Sequence, residues 1–261
     1  MKIIDLTLDH ENLYFCCLED WSDEIKEAGD HKACWYRKMK DKGLRVKLAQ
    51  NDKGVICGMI QYEPSEVSFI EGKDLYVVLC IWIHGHKQGI GNQQKKGMGK
   101  ALLNAAEEDV KALGGKGIVT WGLILPFFMR VSWFKRQGYK VVGKDGLMRL
   151  LWKPFTEDAV PPAFIKQKKK PGLVPGKVNV SLFMTGWCPA QNMVYERTKR
   201  AISGYESYIQ LNEYKTINKD LQREWGIADA VFVDKKEVRS GPPTPYYKIR
   251  RLIERKVRMI K

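Results

Sequence analysis

A proline-rich segment divides the chain into two parts. Between Pro154 and Lys177 the sequence holds five prolines, two glycines and the run Lys168-Lys169-Lys170. Prolines at this density interrupt both helices and sheets. The chain has 261 residues, and single domains usually contain about 100–200. We therefore predict a first domain over 1–155, a linker over 156–176 and a smaller second domain over 177–261.

The charge is uneven between the two parts. The chain has 45 Lys and Arg against 30 Asp and Glu, a net charge of +15. Residues 1–154 hold 24 basic and 19 acidic residues, and residues 155–261 hold 21 and 11, so the shorter part carries +10 of the excess. Such a charge suits nucleic acid, an anionic membrane or a polyanionic ligand, and it also suits simple solubility. Composition alone leaves these open, whereas 44% hydrophobic residues exclude global disorder.

Neither a membrane span nor a metal clamp is visible in the sequence. There is no apolar run of about 18 residues, and the N-terminus lacks a basic start followed by an apolar run, which a secretory signal needs. The six cysteines show no C-x-x-C spacing, so we expect free thiols and no metal site. The sequence predicts a cytoplasmic protein, and it leaves the oligomeric state open.

The first part alternates strands and helices. The Asn51-Asp52-Lys53-Gly54 cluster predicts a hairpin turn between two strands. The almost continuous apolar run Leu75–Ile83 predicts a strand buried on both faces. A glycine-rich loop, a helix to about Leu113 and the strand Gly117–Leu123 follow. A helix around Phe127–Gln137 and two more strands complete an α/β pattern with a mixed central sheet.

The loop before the long helix has the composition of a phosphate site. It reads Gln94-Lys95-Lys96-Gly97-Met98-Gly99-Lys100. The two glycines let the backbone approach a ligand closely, and the free N–H groups and dipole at a helix start attract anions. The three lysines add positive charge. A tight turn that only caps a core helix is the structural alternative.

Two motifs carry a resemblance to a known family. The loop pattern Q-x-x-G-x-G resembles the pyrophosphate-binding loop of GNAT N-acetyltransferases, and Trp133-Phe134-Lys135-Arg136-Gln137-Gly138-Tyr139 is similar to that family's second motif. The resemblance covers about residues 1–154. It implies an α+β GNAT fold, acetyl-CoA as cosubstrate and direct acetyl transfer to an amine acceptor. It also implies that the strand Leu75–Ile83 splays from its neighbour. The implied contacts of acetyl-CoA are Ile81, Trp82, Ile83, Gln94, Lys95, Lys96, Gly97, Met98, Gly99, Lys100 and Phe134.

The sequence departs from the family pattern at the proton-transfer positions. Phe134 stands where the family often has a tyrosine that protonates the departing thiolate, and Tyr139 is the nearby substitute. Glu63 and His84 are the candidate catalytic bases; a solvated carboxylate and a hydrogen-bonded histidine are their structural alternatives. Water chains serve many acetyltransferases in place of a base. A non-catalytic protein that binds CoA or acyl-CoA therefore stays open as a second hypothesis.

The second part resembles thioredoxin in its order of strands and helices. Trp187-Cys188-Pro189 falls where thioredoxins keep W-C-x-x-C, but Gln191 replaces the second cysteine. This excludes a dithiol oxidoreductase and leaves Cys188 as a possible reactive thiol or as a packing residue. A GNAT domain followed by such a module resembles the YoaP-like acetyltransferases.

The last helix concentrates much of the charge. Its predicted apolar face comprises Tyr246, Ile249, Leu252, Ile253, Val257 and Ile260. A basic amphipathic helix can bind nucleic acid or an anionic surface, which gives a third hypothesis. We expect the apolar face to pack on the second domain's sheet and the cations to be solvated, so nucleic acid is the less favoured partner. The identity of the amine acceptor, a small molecule or a peptide, is left open.

Overall fold

The computed structural model describes residues 1–239 and 241–260. The chain forms two compact units. The first unit comprises Met1–Trp21 and Lys38–Phe164, and the second comprises Ser22–Arg37 and the residues from Ile165 onward. Among the described residues, no helix is both long enough and apolar enough to span a membrane.

The first unit is built on a seven-stranded sheet. Its strands and two short outer strands are β1 (Lys2–Asp5), β2 (Arg45–Gln50), β3 (Ile56–Pro64), β4 (Ile70–Glu71), β5 (Leu75–Ile83), β6 (Gly117–Leu123), β7 (Lys140–Asp145), β8 (Met148–Pro154) and β9 (Ala163–Phe164). The sheet order is β1-β2-β3-β5-β6-β8-β7, and β4 pairs with β9. Only the β5–β6 pair is parallel among the pairs of the large sheet. This mixed sheet fits the α+β GNAT fold that the sequence predicts.

The helices of this unit are α1 (Glu11–Phe15), α3 (Met98–Ala112) and α4 (Val131–Arg136). Helix α2 (His31–Met39) runs from the second unit into the first. In α3 the residues Leu102, Leu103, Ala106 and Val110 are fully buried and pack in one cluster with Ile118 of β6. Their i, i+4 spacing makes one apolar helix face, which positions the start of α3 over the sheet.

The strands β5 and β6 are paired only over the first half of β5. Their paired residues run from Leu75 opposite Gly117 to Val78 opposite Thr120. At that level β5 also carries a bulge toward β3, because Tyr62 pairs with Val78 and the preceding residue of β3 pairs with Cys80. A bulge bends a strand and increases its twist. The predicted splay of Leu75–Ile83 from its neighbour is therefore present in the structure.

The indole of Trp121 bridges the start of the gap. Its Nε1–H donates to the carbonyl oxygen of Leu79 at 2.8 Å. Leu79 is the extra residue of the bulge, so its carbonyl would otherwise lack a ladder partner. A side-chain bond thus replaces a main-chain bond at the point where the strands separate.

The second unit contains a four-stranded sheet. Its strands are β10 (Val178–Phe183), β11 (Ile209–Tyr214), β12 (Ala230–Val233) and β13 (Lys236–Val238), and its helices include α5 (Pro189–Ile202), α6 (Lys219–Trp225) and α7 (Tyr246–Arg258). The sheet order is β11-β10-β12-β13. β10 is parallel to β11 and antiparallel to β12. Ile249, Ile253 and Val257 of α7 are buried against this sheet, as expected for the last helix, whereas Tyr246 and Ile260 are exposed.

The segment Ser22–Arg37 packs on helix α5. Arg197 of α5 is buried and pairs with Glu24 at 2.6 Å and with Glu27 at 3.1 Å. His31 pairs with Glu196 at 2.6 Å. The sequence prediction counted this segment within the domain 1–155, and the compact units differ from it here. The pairs join residues about 170 positions apart, which leaves no local pattern in the sequence.

The predicted linker has ordered ends. Ala163 and Phe164 form β9 beside β4 in the first unit. The N–H groups of Lys168 and Lys169 donate to the carbonyl oxygen of Trp225 in the second unit. The boundaries predicted at 156 and 176 remain a prediction, while the compact units divide the chain between Phe164 and Ile165.

Candidate functional site

The start of α3 leaves main-chain N–H groups open. Gly97 is the N-cap and has φ +81°, and Lys95 has φ +64°. No side chain among the described residues caps this helix, and the first turn of a helix has no internal acceptors for its N–H groups. A Cβ atom on Gly97 would meet nothing within 4 Å. The predicted phosphate loop therefore leads into a helix start whose main-chain donors are open.

The side chains of the loop are cationic and exposed. Lys95, Lys96 and Lys100 all face solvent, and the first turn of α3 contains no acidic residue. The Nζ of Lys96 donates to Oε1 of Gln93 at 2.8 Å. Positive side chains thus add to the partial charge of the helix start, and an anionic group is the ligand that this arrangement suits.

Gln94 fastens the loop to the end of β5. Its Nε2 donates to the carbonyl oxygen of Ile83 at 3.4 Å, and its amide lies directly against Gly85. Among the predicted cofactor contacts, Gln94 therefore positions the loop, whereas the open donors belong to the residues that follow it.

Three elements converge beside Gly99. An ideal Cβ on Gly99 would lie 3.6 Å from Cζ2 of Trp133 and 3.8 Å from Cγ1 of Ile83. The start of α3, the end of β5 and the side of α4 therefore meet at one point. Met98, by contrast, is buried in the core cluster, so only its main chain belongs to the site.

The main chain of Ile81, Trp82 and Ile83 borders the gap. One edge of this stretch pairs with Ile60, Met59 and Gly58 of β3. The paired residues of β5 and β6 end at Val78, which leaves the other edge for a partner outside the sheet. Successive N–H and C=O groups on a free strand edge are a ready template for hydrogen bonds. A ligand with amide groups, laid in the gap, would meet them.

Phe134 lies in the core and not in the gap. Its side chain is fully buried, and its ring packs at 4.8 Å from Trp133 and 5.6 Å from Tyr139 between ring centroids. The burial of Phe134 does not support the expected side-chain contact with a cofactor, and the neighbouring Trp133 is the aromatic residue that lies beside Gly99. Both residues belong to the same motif, and helical phase decides which of them is buried.

Tyr139 does not replace the missing acid. Its hydroxyl donates to Oε1 of Glu107 at 3.1 Å, and Lys153 pairs with Oε2 of the same carboxylate at 2.6 Å. Burial, together with the Glu107 charge, raises the pKa of Tyr139 well above its usual range. The hydroxyl is thus committed to a buried network.

Glu63 lies away from the gap. It belongs to β3, is 4% exposed and pairs with Val77, where β5 is still bonded to β6. Met59, four residues earlier on β3, is the partner of Trp82, and four strand residues span roughly 13 Å. The alternative of a solvated loop residue is therefore wrong for Glu63, which is buried within β3, and its catalytic role stays a prediction.

His84 is locked in a structural role. The Nε1–H of Trp21 donates to its Nε2 at 3.0 Å, and its Nδ1 lies 2.9 Å from the carbonyl oxygen of Gly91. An indole can only donate and a carbonyl can only accept, so Nδ1 carries the proton and both ring nitrogens are used. The ring is fully buried. His84 therefore ties down the loop after β5, and the expectation that it is a base is corrected to the hydrogen-bonded alternative.

Cys188 lies at the start of α5 in the second unit. It is the N-cap, is partly buried and is followed by Pro189. Nearby, the main-chain N–H and the hydroxyl of Thr185 donate to Asp229 at 2.8 and 2.7 Å. Burial raises the pKa of Asp229 to about 6 despite these hydrogen bonds. Among the described residues, no group of three or more metal-ligating side chains is found in either unit.

The chain matches no protein-family model and no curated protein. It is similar to solved structures of acetyltransferases. The PaiA N-acetyltransferase from Thermoplasma acidophilum, in complex with coenzyme A, is 19% identical over 59% of this chain and 100% of that chain, with a TM-score of 0.43. A GNAT family acetyltransferase from Brucella melitensis, in complex with acetyl-CoA, is 15% identical over 62% of this chain and 94% of that chain, with a TM-score of 0.43. An aminoglycoside 6'-acetyltransferase type Ii is 18% identical over 59% and 97%, with a TM-score of 0.45.

Proposed function

We propose that the protein is an acetyl-CoA-dependent N-acetyltransferase that transfers the acetyl group directly to an amine. The observation that carries this proposal is the parting of β5 from β6 after Val78, directly beside an uncapped helix start with a left-handed Gly97. A gap with a free strand edge suits the amide-rich pantetheine arm, and the helix start suits the pyrophosphate. The solved structures named above contain CoA or acetyl-CoA in two cases, in agreement with this assignment.

Different residues would hold different parts of acetyl-CoA. The main-chain N–H groups from Gly97 to Lys100 and the loop lysines would hold the pyrophosphate. The free edge of residues 81–83 would hold the arm and polarise the acetyl carbonyl, because oriented N–H groups stabilise the oxyanion of acyl transfer. Trp133 would cover the arm beside Gly99. The amine nitrogen then bonds to the carbonyl carbon and loses a proton, the carbon–sulfur bond breaks with its electron pair on sulfur, and the thiolate takes up a proton.

We also propose that the second unit is a thioredoxin-like module without dithiol chemistry, as in the YoaP-like acetyltransferases. The support is its strand order with one parallel and two antiparallel pairs. In addition, α5 and α7 share one core cluster with the sheet, while Trp225 of α6 packs in the other.

Isothermal titration calorimetry with acetyl-CoA and with CoA tests the first step. We expect sub-millimolar binding of both to the full chain, and absence of binding would refute the assignment of the gap. Consumption of the thioester over a panel of amines tests the second step.

A CoA-binding protein without turnover is the second candidate. It is favoured by one observation: Phe134 is buried in the core, and the hydroxyl of Tyr139 and both ring nitrogens of His84 are already hydrogen-bonded. Tight binding without amine-dependent loss of acetyl-CoA would select this candidate over the enzyme.

A further inference from the structure

A cluster of aromatic rings lies at the splayed end of β5. Ile81 and Ile83 pack against the core cluster that contains α3, so Trp82 between them points to the other face of the strand. The ring of Trp82 is 5.9 Å from that of His86 and 6.0 Å from that of Phe128, between centroids. We call these residues, with Trp21 at 5.2 Å from His86, the aromatic cluster.

The cluster borders the gap between β5 and β6. Phe128 contacts Trp121 at 5.9 Å between ring centroids, and Trp121 is the residue whose indole bonds to Leu79 at the start of the gap. All of these side chains are partly exposed. An acceptor molecule could therefore rest on the rings while its reactive atom reaches into the gap.

Unlike His84, His86 does not use both ring nitrogens in contacts with the part of the chain that the structure describes. Its Nε2 lies 3.3 Å from Oε1 of Glu19, and its side chain is 42% exposed. A carboxylate only accepts protons and hydrogen bonds, so this contact favours the proton on Nε2 and the lone pair on Nδ1. Within residues 1–239 and 241–260 the structure shows no hydrogen-bond partner for this Nδ1.

Trp82 adds a donor that needs an acceptor. Its Nε1 is buried and has no partner among the described residues. Buried indole N–H groups are normally hydrogen-bonded, so a group that supplies an acceptor atom is expected here. A ligand lying between the rings and the gap would provide one.

We propose that the aromatic cluster binds the acceptor amine and that His86, held by Glu19, takes the proton of its ammonium form. This inference rests on the proposed acetyltransferase function and names the acceptor class: a small monoamine with an aromatic or apolar body. Ring faces attract a single ammonium group and cover an apolar body. Glu19 is the carboxylate paired at the cluster. A polyamine would need more acidic partners and would be repelled by the excess of 24 basic over 19 acidic residues in 1–154.

The proton and electron balance is complete without any further reactant. The ammonium gives one proton to Nδ1 of His86, and the neutral amine attacks the acetyl carbonyl carbon. The new carbon–nitrogen bond forms as the carbon–sulfur bond breaks with its electron pair on sulfur. The nitrogen loses a second proton, and the thiolate takes up one proton, so the number of protons is conserved. His86 returns its proton to water.

The test uses the full chain with phenethylamine and spermidine as acceptors, over a range of pH. For His86→Gln we expect kcat with phenethylamine to fall roughly 100-fold or more, within the range for general base catalysis, with loss of the rise of rate with pH. Glu19→Gln should lower kcat by a smaller factor and change the same limb of the pH profile. His10→Gln, a partly exposed histidine bonded to Thr7, is the matched control and should behave as the unaltered protein.

A second readout separates this inference from the function on which it rests. Phenethylamine without acetyl-CoA should shift the indole N–H resonance of Trp82, assigned with Trp82→Phe, and spermidine should not. If acetyl-CoA binds but His86→Gln keeps kcat and the pH profile, or spermidine is the better acceptor, the inference is overturned and the acetyltransferase stands. If acetyl-CoA does not bind while the resonance shifts, the acetyltransferase fails and the amine site stands without its catalytic step.

Discussion

Each unit contains a long helix that follows a buried strand and a loop, and the two helix starts differ in how open they are. Helix α3 has 15 residues and α5 has 14, so their dipoles are comparable. The start of α3 has open space around Gly97. At α5 the first residue is Pro189, which has no N–H, and Gly186 lies close to His31 and Trp35.

The contrast shows that a helix start becomes an anion site only where the chain leaves it uncovered. In the second unit, the segment Ser22–Arg37 fills the surroundings of the loop before α5. In the first unit, two residues with left-handed backbone, Lys95 and Gly97, precede the helix start, and the space around Gly97 is open. Substitutions that fill the open start of α3, or that loosen the packing around α5, should therefore affect acetyl-CoA binding differently.

The largest effect is expected for Gly97→Trp. The indole would occupy the open space at the helix start and would strain a backbone with φ +81°. We expect acetyl-CoA affinity to fall at least about 100-fold, or roughly 2.7 kcal/mol, in titration calorimetry. Gly114→Trp is the matched control, because it has φ +78° and nothing within 4 Å but lies beyond the other end of α3. Equal losses in both variants would contradict the placement of the anion.

The next effect is expected for Arg197→Leu in the second unit. The guanidinium is 4% exposed and bonds to Glu24 and Glu27, and charge-assisted hydrogen bonds contribute roughly 1.5–3 kcal/mol each. We expect hydrogen exchange to accelerate over residues 24–28 while acetyl-CoA binding stays the same. Arg200→Leu removes an exposed partner of Glu27 and should have a smaller effect. Unchanged protection in Arg197→Leu would mean that other contacts hold the segment.

A smaller, pH-dependent effect is expected for Asp229→Asn. Burial raises the pKa of Asp229 to about 6 in the folded protein, so the folded state binds the proton more tightly than the unfolded state. The protonated carboxyl of Asp229 therefore contributes stability below its pKa in the unfolded state. This contribution is lost as pH rises through about 6. At pH 8 the free energy of unfolding of the variant should exceed that of the unaltered protein by at most about 3 kcal/mol. At pH 4 the two free energies should differ little.

Hydrogen exchange of the β10 and β12 amides, compared at both pH values, measures this difference. Asp41→Asn, an exposed carboxyl in the first unit, is the control and should leave the pH dependence as it is. A stability gain at pH 4 as large as that at pH 8 would show that ionisation of Asp229 is not its cause.

The smallest effect is expected for Cys188→Ala. The start of α5 takes no part in the proposed acetyl transfer, so kcat, KM and acetyl-CoA affinity should stay within twofold of the unaltered protein. Steady-state kinetics and calorimetry check this. A tenfold loss of turnover would assign the second unit a role in the reaction and would remove the contrast between the two helix starts.

Local patterns in the sequence determined the elements that build the gap. The apolar run Leu75–Ile83 and the strand Gly117–Leu123 were predicted with the bounds observed for β5 and β6. The glycine and lysine pattern predicted the open start of α3, and Gly114 marks its end with φ +78°. These signals are local because hydrophobic period, glycine conformation and helix ends depend on neighbours in sequence.

The tertiary structure decided which side chains face the gap. His84 and His86 are two residues apart, yet His84 uses both ring nitrogens, on Trp21 and on Gly91, whereas the ring of Trp21 only packs against that of His86. Glu63 lies beyond a strand bulge, and Phe134 is turned away from the gap by the phase of a six-residue helix. Each of these outcomes depends on contacts between residues far apart along the chain, which no short pattern records.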